Sequence, residues 1–263
     1  MILGLSHIGI NCTNIQVAAM PLSGFGYKTR FDIKSLQNHS AKSGLMQNYL
    51  KFHDIKNMEA KDAMSIELLD HGSSPGPQSS AVIPIFSAKE IHGEWEKLPL
   101  EMLPLTSESI NILEKKFKGK ITAFYIPALN MTCLLTEIMG QKNGLYSCVL
   151  PTVSPYDTEE LLQKLRFRKN LLGFWSIPTP IKSLIANFTV LQSEEKEGWS
   201  AAKFLDSPGA AVIALMARDT KNIKYQNLGQ CTSFSLVVNE KKCWITLIKP
   251  KFGPIIELVE HQT

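Results

Sequence analysis

The sequence predicts an α+β fold made of four repeated units, each richer in strand than in helix. Short alternating or apolar runs typical of β-strands dominate the chain, and only a few segments have a helical pattern. One phrase also recurs, as IELLDH at 66–71 and as IELVEH at 256–261. We give this repeat priority over local patterns because it defines the unit that has been duplicated.

The repeated units lie near residues 1–72, 80–140, 144–219 and 229–263. Each begins with a strand-like run, and each ends with an apolar strand: SIELLDH, CLLTEIMG, AVIALMARD and IIELVEH. The stretch GSSPGPQSS between the first two units has the composition of a linker. Grouping the units in pairs predicts two domains, which comprise residues 1–142 and 143–263.

The first unit opens with a strand over 4–12, in which alternation places His7 on one face and the two isoleucines on the other. Asn14 then caps a short helix over 15–22, which Pro21 ends early or kinks. The turn GFGY closes this helix. It lacks the following helix of a phosphate-binding loop, so we interpret it as a plain turn.

The remaining helices and strands are predicted from the same capping and alternation patterns. The chain's best helix start is Ser154-Pro155, with a cap residue, proline at the first helical position and acidic residues in the first turn. AKEIHGEWEKL is interpreted as a short helix or turn. The predicted strands after the first are, in order, KTRFDIKSL, the poorly patterned MQNYLKFHDI, MSIELLDH, AVIPIFSA, KITAFYIPALN, MTCLLTEIMG, LYSCVLPTV, LIANFTVLQ, WSAAKFLDS, GAAVIALMARD, CTSFSLVVN, CWITLIKP and PIIELVEH.

The charge distribution argues against a nucleic-acid partner. The net charge is only +4, and the densest basic runs, 114–120 and 165–170, have the pattern of solvated turns. A mildly positive protein does accommodate an anionic small molecule. We therefore expect a small-molecule substrate or ligand and no nucleic acid.

The cysteines and the hydropathy pattern favour a cytoplasmic protein. The five cysteines (Cys12, Cys133, Cys148, Cys231 and Cys243) are odd in number and do not have the spacing of a zinc site. The N-terminus has no pattern of a cleaved leader, and no apolar stretch reaches the ~18 residues of a membrane span. A reducing compartment is therefore expected, without membrane association. Four units can complete two sites within one chain, so both a monomer and a homodimer are open.

The first unit resembles the vicinal oxygen chelate superfamily, which includes glyoxalase I, extradiol dioxygenases and bleomycin-binding proteins. The segment LSHIGINCTNIQVAAMPLSGFGY looks like that family's opening strand, helix and Gly-aromatic turn, and MSIELLDHG looks like its closing strand. The resemblance implies four βαβββ modules forming two cupped mixed β-sheets with short helices outside. It also implies a divalent metal ion (Zn, Ni, Fe, Mn or Co) held in a cup by first-strand and last-strand side chains.

Carried over residue by residue, this resemblance places His7 and Glu67 as metal ligands of the first unit. Glu137 would be the third ligand if units one and two pair, and Glu257 if units one and four pair. Glu67 and Glu257 are also candidate catalytic carboxylates. The alternative for Glu67 is that its side chain lies on a solvated face of the strand and has no functional role. The other histidines (His39, His53, His71, His92 and His261) are predicted to lie in turns or at the surface.

The chain departs from the family at the first-strand positions of its second half. These positions fall near Ser147 or Cys148 in the third unit and near Thr232 or Ser233 in the fourth, and none is histidine. The departure argues against ring-cleaving dioxygenase activity and leaves one surviving site around His7 and Glu67.

Three functions remain open from the sequence. The first is a metal-dependent lyase or isomerase of glyoxalase or epimerase type, acting on a small hydroxy-carbonyl or carboxylate substrate. The second is a non-catalytic binding protein of the bleomycin-resistance type that holds its ligand with aromatic side chains. Its candidates are Tyr125, Trp175, Phe188, Trp199 and Trp244. The third is a metal-free enzyme that uses side chains such as Tyr125, Arg166 or Lys203.

Overall fold

The structure is a computed structural model. It describes residues 1–71, 78–79, 81–87, 94–117, 121–136, 143–180, 184–194, 199–200, 204–220 and 225–262. The elements of the first half are β1 (Ile2–Asn11), α1 (Ile15–Gly24), β2 (Lys28–Gln37), a 3-10 helix (Ser40–Leu45), β3 (Phe52–Glu59), β4 (Ile66–Asp70), β5 (Gln78–Ser79), β6 (Ile83–Ser87), β7 (Glu96–Leu98), a 3-10 helix (Leu100–Met102), α2 (Ser107–Lys116), β8 (Ile121–Ile126), a 3-10 helix (Pro127–Leu129) and β9 (Met131–Thr136).

The second half continues the β-rich pattern. Its elements are β10 (Gly144–Thr152), α3 (Pro155–Lys164), β11 (Arg168–Lys169), β12 (Trp175–Pro178), β13 (Ile185–Gln192), β14 (Trp199–Ser200), β15 (Gly209–Ala217), a 3-10 helix (Tyr225–Leu228), β16 (Gln230–Val238), β17 (Lys241–Lys249) and β18 (Ile255–His261). No helix in the described ranges is long and apolar enough to cross a membrane.

Two mixed eight-stranded sheets form the molecule, which confirms the predicted α+β class. The first sheet has the order β16-β17-β18-β15-β1-β4-β3-β2, and the second has the order β11-β12-β13-β10-β6-β9-β8-β7. The first unit therefore shares a sheet with the fourth, and the second shares a sheet with the third. This pairing resolves the question of which units combine, and it favours Glu257 over Glu137 as the partner of Glu67.

The boundary between the third and fourth units differs from the prediction. Strand β15, expected to close the third unit, pairs with β1 and β18 and opens the fourth unit, which starts near 209 and not at 229. The third unit closes with β13. A strand buried on both faces has the same apolar run whether it begins or ends a unit, so the pattern could not distinguish the two. Each sheet also contains strands from both sides of residue 142, so the expected domains do not coincide with the sheets.

The helices begin where their capping residues predict. The Asn14 side chain accepts hydrogen bonds from the backbone amides of Gln16 and Val17, at 3.0 and 3.1 Å, and so fixes the start of α1. Helix α3 begins at Pro155, as predicted. Helix α2 was not predicted. Thr106, whose hydroxyl accepts from the Ser109 amide at 3.2 Å, starts it. The stretch expected to be a short helix or turn, 88–98, ends in β7, and its residues 88–93 lie outside the described residues.

The largest apolar core lies between the sheets. It joins Ile8, Ile66 and Ile213 of the first sheet to Cys148 and Phe188 of the second, with α1 packed against it. Because side chains alternate along a strand, every second side chain points to the face of its sheet that lies away from this core. On the second sheet this outer face is covered, because Leu113 in α2 and Phe117 just after it pack against the apolar side chains there. On the first sheet the opposite face lines a cavity.

The connection from β2 to β3 covers this cavity. We call residues 39–49 the cap segment. The Asp206 carboxylate accepts hydrogen bonds from the backbone amides of Gln47 and Asn48 at 2.8 and 2.7 Å, and the Leu205 amide donates to the Leu45 carbonyl at 2.7 Å. The cap segment of the first unit is thereby fastened to the chain that leads into the fourth.

We predict that Asp206→Ala lowers the free energy of unfolding by about 2 kcal/mol, because it leaves two backbone amides without their charged acceptor. Asp206→Asn keeps one acceptor oxygen and should lose less. Urea denaturation of the three proteins measures both differences. An Asp206→Ala variant as stable as the wild type would contradict this role of the carboxylate.

Candidate active site

A cavity of ≈160 Å³ lies on the face of the first sheet that the core does not use. Its lining includes Phe31 from β2 and Leu236 from β16, which are the two edge strands of the sheet. In a flat sheet of eight strands these edges would lie about 34 Å apart, at ~4.8 Å per strand. The sheet therefore curls until its edges face one another across a single cavity.

The histidine predicted as a ligand projects into this cavity beside Glu67. His7 lies on β1, Glu67 lies on β4, and His7 Nε2 is 3.4 Å from Glu67 Oε1. The ring is 7% exposed, its Nδ1 lies 3.1 Å from the Ser6 hydroxyl, and its Nε2 has no hydrogen bond. A buried imidazole nitrogen without a hydrogen bond is unusual in a folded protein and points to a ligand-binding role.

The second carboxylate reaches the cavity from the fourth unit. Glu257 on β18 lines the cavity together with His7 and Glu67. Gly9 lies beside Glu67 in the sheet, and Ala214 lies beside Glu257. These two small residues leave space between the carboxylates. A side chain at position 9 would be crowded by Val212, since a Cβ there would lie 3.0 Å from the Val212 Cβ.

The strand register relates the two halves of the site by an approximate twofold axis. Across β1 and β15, His7 pairs with Ala214 and Gly9 pairs with Val212. Glu67 is the neighbour of Gly9, just as Glu257 is the neighbour of Ala214. The counterpart of His7 is therefore Val212. This corrects the predicted first-strand position near Thr232 or Ser233, which was an error caused by placing the start of the fourth unit one strand too late.

A buried lysine of the cap segment lies at the same site. Lys42 lines the cavity and is 8% exposed. Burial raises the pKa of Glu67 to about 7, an effect that the Lys42 ammonium and a hydrogen bond with Asn57 partly offset. Burial also raises the pKa of Glu257, whereas His7 lowers it. The pKa of His7 is lowered by burial, against the attraction of Glu257. Both carboxyls can therefore exchange protons closer to neutral pH than an exposed glutamate can.

Two further histidines lie close to the site. The rings of His53 and His71 stack with centroids 4.7 Å apart, and they are 3% and 1% exposed. This corrects the prediction that His53 lies at the surface, whereas His71 follows β4, where a turn residue was predicted, and is buried. His71 and His261 line the cavity. Nothing in the local sequence indicates this burial, because it results from the curl of the sheet and from the cap segment.

The structure brings together three of the four residues predicted for the site. His7, Glu67 and Glu257 share one cavity, and Glu137 lies outside the described residues. The sequence did not indicate Lys42, whose segment HSAKSG looks like a solvated turn.

The residues predicted for the other two functions lie elsewhere. The cavity lining includes neither Tyr125 nor Arg166, and its aromatic side chain is Phe31. Phe188 and Trp175 belong to the core between the sheets. Trp244 alternates with the cavity-lining residues of β17 and so faces the other way. The side chain of Trp199 and the whole of Lys203 lie outside the described residues.

Comparison with solved structures finds matches along the whole chain. Glyoxalase I from Zea mays matches with a TM-score of 0.50 and 11% identity, and the match covers 97% of this chain and 92% of that one. A single-site variant of the same enzyme gives 0.54 and 11%, with the same coverage. A candidate dioxygenase from Bacillus subtilis gives 0.50 and 11%, covering 100% of this chain and 86% of that one. The chain has the vicinal oxygen chelate fold. Neither a protein-family model nor a curated protein matches the sequence.

The residues in the cavity fit a divalent metal ion by their chemistry. An imidazole and two carboxylates suit an ion of intermediate hardness, and the His7 Nε2 without a hydrogen bond beside Glu67 is the arrangement that a cation would complete. Among the described residues, however, no three His, Cys, Asp or Glu side chains are gathered into a ready-made cluster. His7 and Glu67 are in contact, and Val212 occupies the fourth position of the pseudo-symmetric set.

The burial of His53 and His71 predicts that the protein is sensitive to acid. Burial lowers the pKa of His53 to about 3 and that of His71 well below its usual value, so both rings stay neutral in the folded state. Below pH ~6.5 the unfolded chain binds protons that the folded chain does not. The free energy of unfolding should therefore fall with decreasing pH, by up to about 1.4 kcal/mol per pH unit for each ring.

Urea denaturation between pH 7.5 and pH 5 measures this dependence. We expect His71→Gln to have a shallower dependence than the wild type. His39→Gln, which changes a half-exposed histidine, is the control and should keep the wild-type slope. Equal slopes for the wild type and His71→Gln would show that the buried ring is not the source of the acid sensitivity.

Proposed function

We propose that the protein is a metal-dependent lyase or isomerase of glyoxalase or epimerase type, acting on a small hydroxy-carbonyl or carboxylate substrate. The observation that carries the proposal is the convergence of His7, Glu67 and Glu257 from three strands of one sheet on a single cavity. The equivalent face of the second sheet is filled by side chains around α2, which supports a single site per chain. Because both halves of the site come from one chain, a monomer suffices for activity. The five cysteines are free, which is consistent with a reducing cytoplasm.

In this proposal His7 and Glu67 hold the ion, and Glu257 completes the set or carries a proton. A divalent ion such as Mn, Fe, Co, Ni or Zn, when bound, polarises a carbonyl or hydroxyl oxygen. Glu257 lies next to Ala214, where the small side chain leaves room for a substrate carbon. Its pKa is raised, so it can take a proton from that carbon and return it to a neighbouring atom. The curled sheet and the cap segment exclude water from this exchange.

A second candidate is a binding protein that holds a small molecule without a metal. It is favoured by Lys42, an ammonium already present near both carboxylates, and by the lack of a three-ligand cluster among the described residues. Metal titration separates the two functions, because only the enzyme requires the ion.

We predict that the protein, freed of metal with EDTA, binds one divalent ion per chain in calorimetric titrations with Mn²⁺, Co²⁺, Ni²⁺ and Zn²⁺. His7→Ala and Glu67→Gln should each weaken binding by about 100-fold, and Glu257→Gln by about 10-fold, since the first removes the imidazole donor and the other two each replace a carboxylate by a neutral amide. Glu96→Gln, which changes an exposed glutamate on β7, is the control and should bind like the wild type. If the wild type binds no ion, the metal-dependent proposal is wrong.

We also predict a gain of function at the fourth position. Val212→His would place a second imidazole at the counterpart of His7 and should tighten metal binding by about 10-fold or more. Val237→His, at an exposed position of β16, adds the same side chain away from the cavity and should change nothing. A Val212→His variant that binds metal no better than Val237→His would argue against the pseudo-symmetric site.

A further inference from the structure

Lys42 is a buried cation for which the described part of the chain supplies no ion-pair partner. Its side chain lines the cavity and is 8% exposed, yet no carboxylate among the described residues lies within 4 Å of its ammonium. Removing an ammonium from water is costly unless an anion or hydrogen bonds compensate it. The residues around it offer little compensation, because Glu67 and Glu257 act on it only from a distance.

The position of Lys42 is built into the fold. His39, at the start of the same 3-10 helix, stacks on Phe234 with ring centroids 4.6 Å apart, and the Lys42 ammonium lies 5.7 Å from the centre of the Phe234 ring. Asp206 fastens the other end of the cap segment. The ammonium is therefore held over the cavity from both sides, which distinguishes it from a solvated surface lysine.

In the metal-bound site of the proposed function, the innermost charges would not cancel. The divalent ion would contribute +2, Glu67 and Glu257 together −2 and Lys42 +1, so these buried groups would sum to +1, without the exposed Arg30 and Lys241 at the mouth of the cavity. One carboxylate on a bound molecule would bring this sum to zero. A site this buried favours neutrality, because uncompensated charge is poorly solvated there.

Aliphatic side chains make up much of the remaining lining and indicate the shape of the bound molecule. Away from the ionisable groups, the cavity is walled by aliphatic side chains of β16, β17, β18 and the segment before β15. These are Leu205, Leu236, Val238, Ile245, Leu247 and Val259. Arg30 and Lys241 belong to the same lining and are exposed, so the approach to the cavity is also positive.

We propose that Lys42 binds the carboxylate of the substrate, which is a monocarboxylate with an apolar body several carbons long. The ammonium takes the carboxylate, and the aliphatic wall takes the hydrocarbon part. The bound molecule's role as a substrate rests on the proposed function, whereas its recognition by Lys42 can be tested independently of any turnover.

The test measures the binding of hexanoate, with hexanamide as the uncharged analogue and adipate as the analogue with a second carboxylate at the apolar end. Titrations are followed by ligand line broadening in proton NMR, with saturating Zn²⁺ and again after EDTA treatment. For the wild type with Zn²⁺, we expect hexanoate to bind at least about 10-fold more tightly than either analogue. In Lys42→Met this preference should disappear, because the charge-assisted hydrogen bond is gone.

Lys42→Met should also change the affinity for Zn²⁺, in the direction opposite to its effect on the affinity for hexanoate. Removing the ammonium from the cavity should tighten Zn²⁺ binding by about 10-fold while it weakens hexanoate binding, because the ammonium repels the ion. A merely misfolded variant would lose both. Lys42→Arg should retain part of the preference for hexanoate. Lys97→Met, which changes an exposed lysine on β7 of the second sheet, is the control and should retain all of it.

The outcomes separate this inference from the proposed function. If hexanoate binds the wild type and Lys42→Met equally tightly, or no more tightly than hexanamide, the inference is overturned even where Zn²⁺ binds. If Zn²⁺ does not bind but the preference for hexanoate still requires Lys42, the metal-dependent proposal fails and the recognition of a monocarboxylate by Lys42 is supported.

Discussion

The antiparallel pairing of β1 with β15 is the constraint on which the rest of the structure depends. It joins the first unit to the fourth, places His7 opposite Ala214 and brings Glu67 and Glu257 to one face of one sheet. Because side chains alternate along a strand, the same pairing sends Ile8 and Ile213 into the core on the other face. A shift of one residue would bury the ionisable groups in the core and turn its isoleucines toward the cavity.

The two sheets differ in the face that each turns away from the core. In both sheets the strands alternate, so that one set of side chains packs in the core between the sheets. The outer faces of the two sheets differ in what covers them. The second sheet has Leu113 and Phe117 packed onto an apolar face, and this fills the space. The first sheet has the cap segment, which is fastened at its end by Asp206 and leaves the space open over charged residues. The molecule thus has one supporting sheet and one sheet that carries the candidate site.

The sequence predicted the fold class and three residues of the cavity because these leave local signals. A histidine in an alternating strand and glutamates within apolar strands are ionisable residues where apolar ones are usual, so they stand out in the sequence. The recurrence of IELLDH as IELVEH predicts an internal repeat. The start of the fourth unit, helix α2 and the burial of Lys42, His53 and His71 leave no such signal. Their environment is created by strand pairings over long sequence distances and by the curl that brings β2 and β16 to one cavity.

The order of the strands also has a consequence for how the chain folds. Strands β6 to β13 of the second sheet form one continuous stretch of chain, so that sheet can assemble as soon as its residues have emerged from the ribosome. The first sheet cannot, because the partner of β1 begins at Gly209 and β18 ends at His261. Until residues 209–217 have emerged, β1 lacks its partner β15. Pairings over such distances fold slowly, and a ribosome that stops near residue 200 would release a chain with an exposed strand edge, which is prone to aggregate.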